Sequence, residues 1–387
     1  MKTNKYRFPT RWRLLKISDC CTIRHGKPQH AVVDKHGKYP VLASGGEIGK
    51  TNKFLYNKPS VLIGRKGTID KPKYIDSPFW TVDTLFYTEI FEYIYPKFLY
   101  YLFSRINWKR YNEGSTIPSL TASSISSIKI LVPPIEEQKR IAEVLSTWDE
   151  GIENLEKLIA LKEKQKRALM QRLLTGKTRL KGFSTPWKKV KLGDIGVFSS
   201  AGVDKKIIEG ELSVHLLNYM DVYRNDFIFS KTLKQEVTAT LHKKENCNIK
   251  RGDVFFTPSS ETREDIGHSA VATTDIKDGV YSYHIVRLRP TQDIDLNFSA
   301  YIFKTSLFYK QVYTICEGSG QRYVISLEDF RKLVIKIPSS VDEQIEIGNI
   351  LTTVDNEISQ LKNKLEVFKK QKKYLMQQLL TGKKRLA

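Results

Sequence analysis

Three glycine-rich segments carry the residue types that could bind phosphate or nucleic-acid bases. Residues 44–51 read SGGEIGKT and miss a phosphate-binding loop by one position, because Ser44 stands where the pattern requires glycine. Such a loop must follow a strand and open a helix, so that backbone N–H groups converge on a phosphate. Here the chain continues into Asn57 and Pro59, which is typical of a loop or short strand. The segment is therefore expected to be a surface turn.

The other two segments place cations and amides between glycines. In residues 64–68 (GRKGT), Arg65 and Lys66 could approach a phosphate backbone or a guanine edge, although an ordinary charged hairpin turn is an equally good interpretation. Residues 318–322 (GSGQR) contain Gln and Arg, the side chains that pair bidentately with adenine and guanine. They parallel residues 114–116 (GST) earlier in the chain. A solvated loop is the simpler account of either segment alone.

Catalytic signatures are missing from the sequence. It contains no N/D-P-P-Y/F motif of an amino-methyltransferase, and no Ser/His/Asp or H-E-x-x-H arrangement stands out. Its four cysteines (Cys20, Cys21, Cys247 and Cys316) have no C-x-x-C spacing, and its histidines are scattered, so we expect no metal site. Carboxylates such as Glu261 are expected to form salt bridges in a basic loop. We therefore expect the chain to catalyse nothing alone.

An internal repeat defines the elements that must position these segments. Residues 134–180 align without a gap on residues 340–386, with 21 identities in the 47 aligned positions. Biased composition alone would not keep Asp, Gln, Met and Gly in step over that length, so the repeat is genuine. Each copy carries an apolar stripe at the 3.5-residue spacing of a coiled coil, interrupted by Lys162 and Lys166 in the first copy and by Lys372 in the second.

Both copies are expected to form long helices that pack against each other, since neither can bury its stripe alone. Ser340 and Glu343 have the spacing of a capping box at the start of the second helix. Gly176 and Gly382 stand where a left-handed residue would end each helix. The lysines in the stripe either set the register of the pair or mark where it opens to admit helices of another chain.

The segment before each helix is rich in short apolar runs separated by Gly, Pro, Asn and Asp, which is typical of strands and turns. The two segments share weak sequence similarity. Trp12 matches Trp187 at a shift of 175 residues, and Tyr101 matches Tyr301 at a shift of 200. A growing shift indicates one fold with longer loops in its second copy. Different loops on one scaffold suggest that the two domains recognise two different targets.

The sequence thus predicts an α+β fold in which two β-rich domains are joined by two long antiparallel coiled-coil helices with a pseudo-two-fold repeat. The helices are expected to be antiparallel because the first ends where the second domain begins, and the second begins where that domain ends. The predicted ranges are 1–133 for the first domain, 134–176 for the first helix, 182–338 for the second domain and 340–382 for the second helix.

Charge limits the class of partner. The chain has 64 Lys and Arg against 42 Asp and Glu, a formal net charge of +22. This excess points to a polyanion, with nucleic acid ahead of a membrane surface. There is no signal peptide and no apolar run of about 18 residues, so the sequence predicts a soluble cytoplasmic protein with no membrane partner.

The arrangement resembles the specificity subunit of a Type I restriction–modification system over essentially the whole chain. The segments that carry the resemblance are YPV at 39–41, the turn at 44–49, IGRKGT at 63–68, GSTIPSL at 114–120, PPIEEQKRI at 133–141, and LLTGK at 173–177 and again at 379–383. The chain departs from this pattern at Ser339 and Ser340, which replace the prolines, and at 257–260 (TPSS), where the second domain lacks a clear GRKGT turn.

The resemblance implies two target-recognition domains, each reading one half of a split, asymmetric site in double-stranded DNA. It implies that the helices act as a spacer and as the dock for two modification subunits, which bind S-adenosylmethionine and methylate adenine. Restriction subunits would supply ATP-driven translocation and cleavage. No cofactor is expected on this chain, since S-adenosylmethionine, ATP and Mg²⁺ belong to the partner subunits. Half-sites read from one face should lie about 34 Å, one helical turn, apart.

The predicted contact residues fall into three sets. Those predicted to contact DNA from the first domain are Lys27, Ser44, Lys50, Arg65, Lys66, Thr68, Ser115 and Thr116. Those predicted to contact DNA from the second domain are Lys205, Ser259, Ser260, Arg263, Ser319, Gln321 and Arg322. The predicted subunit-docking residues are Lys162, Lys166 and Lys372.

Two other functions remain open from the sequence. One is a coiled-coil scaffold that binds nucleic acid without sequence preference, against which the diverged domain interiors between fixed edges argue. The other is a nucleotide hydrolase, which ATP turnover by the purified chain would test.

Overall fold

The chain folds into two compact units, each of which combines a β-rich domain with half of each long helix. The structure is a computed structural model that describes residues 11–320 and 322–386. The first unit consists of the described residues up to Glu156 together with those from Asn363 onward, and the second unit is Lys157–Lys362. The four sequence ranges given above separate helices from domains and stay a prediction.

The first unit is built from nine short strands. They are β1 (Arg13–Lys16), β2 (Cys21–Arg24), β3 (Tyr39–Ala43), β4 (Gly46–Thr51), β5 (Ser60–Gly64), β6 (Lys73–Ile75), β7 (Trp80–Thr81), β8 (Leu85–Ile90) and β9 (Lys129–Val132). The helices introduced along the same stretch are α1 (Pro96–Arg105), α2 (Ala122–Ser127) and the long α3 (Ile135–Leu173). The strands form sheets of order β2-β8-β5-β6 and β4-β3-β7, and β1 pairs with β9.

The second unit has a larger set of strands and helices. Its strands are β10 (Lys188–Lys191), β11 (Gly196–Ser199), β12 (Leu212–Leu217), β13 (Phe227–Ile228), β14 (Gln235–Ala239), β15 (Asn248–Ile249), β16 (Val254–Phe256), β17 (Ser259–Ser260), β18 (Ser269–Ala272), β19 (Ile276–Tyr281), β20 (Val286–Pro290), β21 (Glu317–Ser319), β22 (Arg322–Val324) and β23 (Val334–Ile337). Its helices are α4 (Leu192–Ile195), α5 (Tyr219–Arg224), α6 (Leu241–Asn246), α7 (Leu296–Ile302), α8 (Ser306–Ile315) and α9 (Leu327–Lys332), and the long α10 (Val341–Leu379) begins here.

The two units share one topology. Sheet β2-β8-β5-β6 corresponds to β11-β20-β16-β18-β13, and sheet β4-β3-β7 corresponds to β14-β12-β19-β15. The parallel pairing of β3 with β7 recurs as the parallel pairing of β12 with β19. The first and last strands of each domain pair, as β1 with β9 and as β10 with β23. The second unit adds the small sheet β17-β22-β21, so the growing shift seen in the sequence reflects inserted elements.

Each long helix is fixed at both of its ends by a domain core. In the first unit, Ile141 and Leu145 of α3 belong to the same buried cluster as Leu379 of α10. In the second unit, Ile347 of α10 belongs to the same cluster as Leu173 of α3. Fully burying a large aliphatic side chain contributes about 1.5–3 kcal/mol. These contacts therefore order the helix ends as part of the domains.

The two helices run antiparallel within each unit, as predicted. In the first unit, Trp148 packs edge-on against Phe368 with ring centroids 5.2 Å apart, and Glu156 pairs with Lys369 at 2.8 Å. In the second unit, Glu163 pairs with Lys362 at 2.7 Å. The apolar stripe faces this contact, which explains the 3.5-residue spacing.

The glycine ends of the helices also match the prediction. Gly176 and Gly382 have φ of 68° and 70°, in the left-handed region that glycine adopts without strain. Their N–H groups donate to Leu173 and Leu379, at 3.3 and 3.2 Å respectively, and so satisfy carbonyls that a helix end leaves unpaired.

The prediction of a capping box at Glu343 is wrong, since this carboxylate binds side chains outside its own helix. It is buried, at 1% side-chain exposure, where it accepts two hydrogen bonds from the Arg179 guanidinium at 2.7 and 2.8 Å. It also accepts one from the Trp187 indole at 3.2 Å. A buried carboxylate needs such partners because its desolvation is costly. The contact joins α10 to the end of α3 and to the start of the second domain.

The same arrangement occurs in the first unit. Glu137 is buried and accepts hydrogen bonds from the Trp12 indole at 3.2 Å and from the Arg385 guanidinium at 2.8 and 3.1 Å. We call Glu137 and Glu343 the buried glutamates. Their hydrogen bonds explain why this Glu, Arg and Trp each occur at equivalent positions of both repeats.

Among the described residues, no helix is long and apolar enough to cross a membrane.

Candidate functional site

The 44–51 segment forms a β-hairpin and not the strand-to-helix turn of a phosphate loop. Strands β3 and β4 pair antiparallel, with Ala43 opposite Gly46, so Ser44 and Gly45 form the two-residue turn. A strand follows this turn, and a strand offers no convergent N–H groups for a phosphate. This agrees with the prediction of a surface turn.

The fold joins two segments of the first unit that the sequence singled out separately. Lys66 and Ser119 form an isolated antiparallel bridge. On either side of it, Gly67 N–H donates to the Pro118 carbonyl at 2.8 Å, and Leu120 N–H donates to the Arg65 carbonyl at 2.9 Å. We call this contact between residues 64–68 and 112–120 the first crossing. It brings Arg65, Lys66, Thr68, Ser115 and Thr116 into one region.

The Ser44 turn also reaches the first crossing. A Cβ placed on Gly67, which has φ of 82°, would stand 3.4 Å from the Ser44 Oγ. Lys50 lies near the other end of the same hairpin, opposite Pro40. At about 3.4 Å per strand residue this is roughly 14 Å or more from the turn. Lys27 and Lys50 are both exposed, but the fold does not draw Lys50 into this contact.

The two cations of the GRKGT turn have different surroundings. Arg65 donates from Nη1 to the Asp83 carbonyl at 3.0 Å and approaches the Asp83 carboxylate at 3.3 Å. Its charge is therefore partly compensated within the protein. Lys66 is exposed and forms no ion pair within residues 11–320 and 322–386. Lys66 is thus the more available of the two for a phosphate.

Asn112 holds the second segment of the first crossing in shape. Its Oδ1 accepts hydrogen bonds from the N–H groups of Gly114 at 3.0 Å and Ser119 at 2.8 Å, and its Nδ2 donates to the Gly114 carbonyl at 2.9 Å. An asparagine that bonds nearby backbone in this way stabilises a turn. Ser115 and Thr116 are exposed at the tip that it closes.

On the DNA contact that the resemblance implies for the first crossing, replacing Asn112 by Ala should weaken specific DNA binding about tenfold, which corresponds to about 1.4 kcal/mol. The tip would lose three hydrogen bonds and would have to be ordered on binding. The measurement is a titration of the purified chain with its recognised DNA by fluorescence anisotropy. Asn57→Ala, at an exposed loop position, is the matched control. Equal affinities of the two variants would contradict the assigned role of Asn112.

The second unit repeats the crossing with different residues. Ile325 N–H donates to the Pro258 carbonyl at 2.8 Å, at the position where Leu120 donates to Arg65 in the first unit. Beside it, β17 pairs with β22, with Ser259 opposite Val324 and Ser260 opposite Tyr323. This second crossing therefore presents serines where the first presents a lysine.

The hairpin of β21 and β22 contributes the other residues of the second crossing. Ser319 in β21 pairs with Arg322 in β22, and both are exposed. The fold thus brings Ser259, Ser260, Ser319 and Arg322 together. Gln321, which was predicted to contact a base, lies outside the described residues.

Arg263 adjoins this sheet from a separate turn. Its guanidinium lies over the Tyr323 ring at 5.0 Å from the centroid, and it donates to the Tyr313 carbonyl at 3.2 Å. The same turn is anchored by Asp265, which accepts a hydrogen bond from the Tyr223 hydroxyl at 2.7 Å. That bond, with a second from Thr262, holds the pKa of Asp265 below its usual value. The turn is therefore fixed at neutral pH.

Lys205 and Arg322 of the second crossing both lie near His284, a residue to which the sequence interpretation assigned no role. The pKa of His284 is lowered by burial and by the nearby charges of Lys205 and Arg322. The imidazole therefore favours its neutral form. The neighbouring Tyr283 ring lies 3.9 Å from it, centroid to centroid, and is half exposed. An exposed aromatic next to cations is typical of nucleic-acid surfaces, and the YSYH run at 281–284 was the available signal.

The three lysines predicted to dock another subunit form ion pairs across the helix pair. Lys162 pairs with Glu357 at 2.8 Å, and Lys166 pairs with Asp355 at 2.7 Å. Lys372 pairs with Asp149. Position 372 repeats 166, and position 149 repeats 355, so the second and third pairs are equivalent. These contacts favour the alternative that the lysines set register, while subunit docking at them stays a prediction.

A tyrosine completes each of the two equivalent pairs. Tyr101 donates to Asp149 at 2.6 Å, and Tyr301 donates to Asp355 at 2.7 Å. Burial raises the pKa of both hydroxyls, and the adjacent carboxylates raise it further. Both tyrosines therefore remain neutral donors, and each fixes a helix against its own domain.

The thiols of the described chain are buried and free. Burial raises the pKa of Cys20 and Cys21 to about 12, so that neither thiol ionises near neutral pH. Among the described residues, no group of three or more His, Cys, Asp or Glu could hold a metal ion.

Comparisons with known proteins give one consistent match. Residues 9–163 and 185–368 match the family Type I restriction modification DNA specificity domain. The MjaVIII specificity subunit of a Type I restriction enzyme from Methanocaldococcus jannaschii is 27% identical, over 98% of this chain and 94% of its own. The EcoDI specificity subunit from Escherichia coli is 28% identical over 36% of this chain and 32% of its own.

Solved structures share the fold at low sequence identity. The S subunit of a Type I restriction-modification system from M. genitalium aligns with a TM-score of 0.63 and 18% identity, over 98% of both chains. A chain from work on complex assembly and conformational transition of the type I R-M system aligns with a TM-score of 0.61 and 15% identity, over 97% of this chain and 99% of its own. Because the family match covers both repeats, the chain belongs to the Type I restriction modification DNA specificity domain family.

Proposed function

We propose that this chain is the specificity subunit of a Type I restriction–modification complex and that it recognises a bipartite site in double-stranded DNA. The first unit reads one half of the site and the second unit reads the other. One observation carries this proposal: the two crossings have the same backbone hydrogen bond but present different side chains. A shared scaffold with different readers suits two unlike half-sites.

The cationic character of both crossings supports DNA as the ligand. Lys66 in the first crossing and Lys205 and Arg322 in the second are exposed, and the chain as a whole carries a net charge of +22. Phosphate contacts supply most of the affinity and position the protein, while polar side chains at base edges select the sequence. The serines and threonines of the crossings are suited to that second task.

Catalysis is assigned to partners in this proposal. Two modification subunits would bind S-adenosylmethionine and methylate adenine, and restriction subunits would use ATP and Mg²⁺. The chain itself would be non-catalytic and would act in the cytoplasm, where its DNA target lies. It would supply the two readers and the helices on which the assembly forms.

The proposal is tested by mapping methylated adenines in DNA exposed to the complex of this chain with its modification subunits. A split, asymmetric sequence at every modified position is expected. A scaffold without sequence preference, which the comparisons do not support, would give methylation or binding spread over randomised DNA. ATP turnover by the purified chain alone would instead indicate a nucleotide hydrolase.

DNA binding is expected to fall steeply with salt. Each lysine or arginine that neutralises a phosphate releases a counterion, so log K should fall linearly with log [salt], with a slope of about −0.9 per contact. The measurement is a set of titrations between about 50 and 200 mM salt. Lys66→Gln should make the slope shallower by about one unit, and Lys38→Gln, exposed elsewhere in the first unit, should not. A slope near zero for the unchanged chain would contradict phosphate-driven binding.

A further inference from the structure

Each unit contains a groove at the same position of the repeated fold. In the second unit a groove of about 740 Å³ is lined by Leu174, at the end of α3, and by Ile335 of β23. In the first unit a groove of about 520 Å³ is lined by Leu380, just after α10, and by Ile130 of β9. Leu174 aligns with Leu380 at the 206-residue shift. Strand pairing places Ile130 and Ile335 at the same position of the fold, since Ile130 lies opposite Leu15 of β1 and Ile335 lies opposite Val190 of β10. We call these the paired grooves.

The paired grooves have apolar floors that stay partly open to solvent. Leu307 of α8 lines the groove of the second unit and is 60% exposed. Leu14 of β1 lines the groove of the first unit and is 48% exposed. The two leucines stand at different positions of the repeated fold, but each leaves apolar surface open in its groove, which is typical of a binding site for a protein partner.

Three cations stand around each floor, besides Lys332 in the second unit. They are Lys189, Lys310 and Lys336 in the second unit, and Arg105, Arg110 and Lys129 in the first. Over residues 11–320 and 322–386, none of the six forms an ion pair, whereas the neighbouring Lys109 and Lys332 do. The Asp329 carboxylate at the second groove is already engaged with Lys332 at 3.4 Å. Each groove therefore presents uncompensated positive charge around an apolar floor.

This combination fits an acidic protein segment better than DNA. Protein interfaces have an apolar centre and a polar rim, so both parts of the groove would be used. A phosphate backbone would use the cations but would gain nothing from covering Leu307 or Leu14, since its contacts are electrostatic. An amphipathic segment with acidic residues beside its apolar face is complementary to both.

We propose that each of the paired grooves docks an acidic amphipathic segment of one modification subunit, so that two copies of the same subunit bind at equivalent places. This rests on the function proposed above and adds the surface that binds the partner. Two equivalent grooves on one chain accept two copies of one protein, as a two-fold assembly requires. The lysines of the helix pair are already engaged in ion pairs and are not needed for this contact.

Charge reversal at one groove should remove one copy of the partner. The full chain is co-expressed with the modification subunit of its own system, and the stoichiometry is read by native mass spectrometry. The variant of the second groove is Lys310→Glu with Lys336→Glu, and that of the first is Arg110→Glu with Lys129→Glu. We expect two copies of the modification subunit on the unchanged chain, one on either double variant, and none on the variant that carries all four substitutions.

Two further variants separate docking from general charge effects. Lys234→Glu with Lys277→Glu makes the same charge change at exposed positions away from the groove of the second unit and should keep two copies. Leu307→Ser leaves the charge unchanged and removes part of the apolar floor, so it should weaken binding of one copy about fivefold. Circular dichroism and DNA binding of each variant check that both units are folded.

The outcomes distinguish this inference from the proposed function. Two copies retained on the groove variants would overturn it, and so would a loss of DNA affinity with stoichiometry unchanged, which would assign the cations to phosphate. If the unchanged chain bound no modification subunit at all, the partner assignment under the proposed function would fail as well. Specific DNA recognition by the chain would be unaffected by the first two outcomes.

Discussion

Exchanging residues 182–338 for the corresponding segment of another family member should change one half of the recognised DNA sequence and leave the other half intact. The exchanged segment contains the whole second crossing, and the first crossing lies outside it. Because each crossing is closed by hydrogen bonds within its own unit, the first reader should keep its geometry. Mapping methylated adenines produced by the chimeric complex is the measurement.

The structure shows where such an exchange can be cut. Strands β10 and β23 pair, with Lys188 opposite Ile337, so both ends of the segment meet at one place in the second unit. The donor must supply Trp at position 187 and Tyr at position 301, which hydrogen-bond to Glu343 and Asp355 of the retained helix. A donor lacking them would remove one hydrogen bond from each of these carboxylates, which is most costly at the buried Glu343.

The reciprocal exchange of residues 1–133 is the control and should change only the other half-site. The interpretation of two independent readers fails if either exchange alters both halves together. It would also fail if the methylated sequence stayed the same after both exchanges, because the bases would then be selected elsewhere.

Replacing Glu343 by Gln should destabilise the second unit by about 3 kcal/mol. The variant keeps the shape of the side chain but removes the charge that compensates Arg179, and it offers one acceptor where three hydrogen bonds now converge. Breaking one partner of a buried ion pair commonly costs about 3–5 kcal/mol. We take the lower figure because Arg179 is 27% exposed and water can partly replace its partner.

Hydrogen exchange followed by mass spectrometry locates this effect. Peptides from the start of the second domain and from the first turns of α10 should exchange faster in Glu343→Gln. Glu346→Gln, at an exposed position one turn along the same helix, is the matched control and should change little. Glu137→Gln should instead affect the first unit. If Glu343→Gln and Glu346→Gln were equally stable, the buried glutamate would not join helix to domain as described.

The sequence was most informative about the helices. A repeat without gaps, an apolar stripe and terminal glycines predicted two long antiparallel helices, and the structure has them with left-handed glycines at their ends. These features depend on local spacing, and the 3.5-residue period needs only the helical backbone to become a stripe. The growing shift between the repeats likewise predicted one topology with added loops.

The sequence was less informative about which partners individual polar residues bind. Glu343 has the spacing of a capping box, yet its carboxylate bonds residues that are 164 and 156 positions away in the chain. Lys166 interrupts the apolar stripe in the sequence, and in the structure it pairs with Asp355. In both cases the partner is distant in sequence, and spacing within one helix carries no information about it.

The sequence by itself determined the helices, the duplication and the positive charge of this protein, because each follows from composition or from a short-range period. Only the tertiary structure decided which loops meet: that 64–68 crosses 112–120, that Ser259 and Ser260 adjoin Arg322, and that His284 lies near Lys205 and Arg322. It also decided where the paired grooves lie. Such contacts are set by how sheets and helices pack over long sequence separations, and no local pattern encodes that packing.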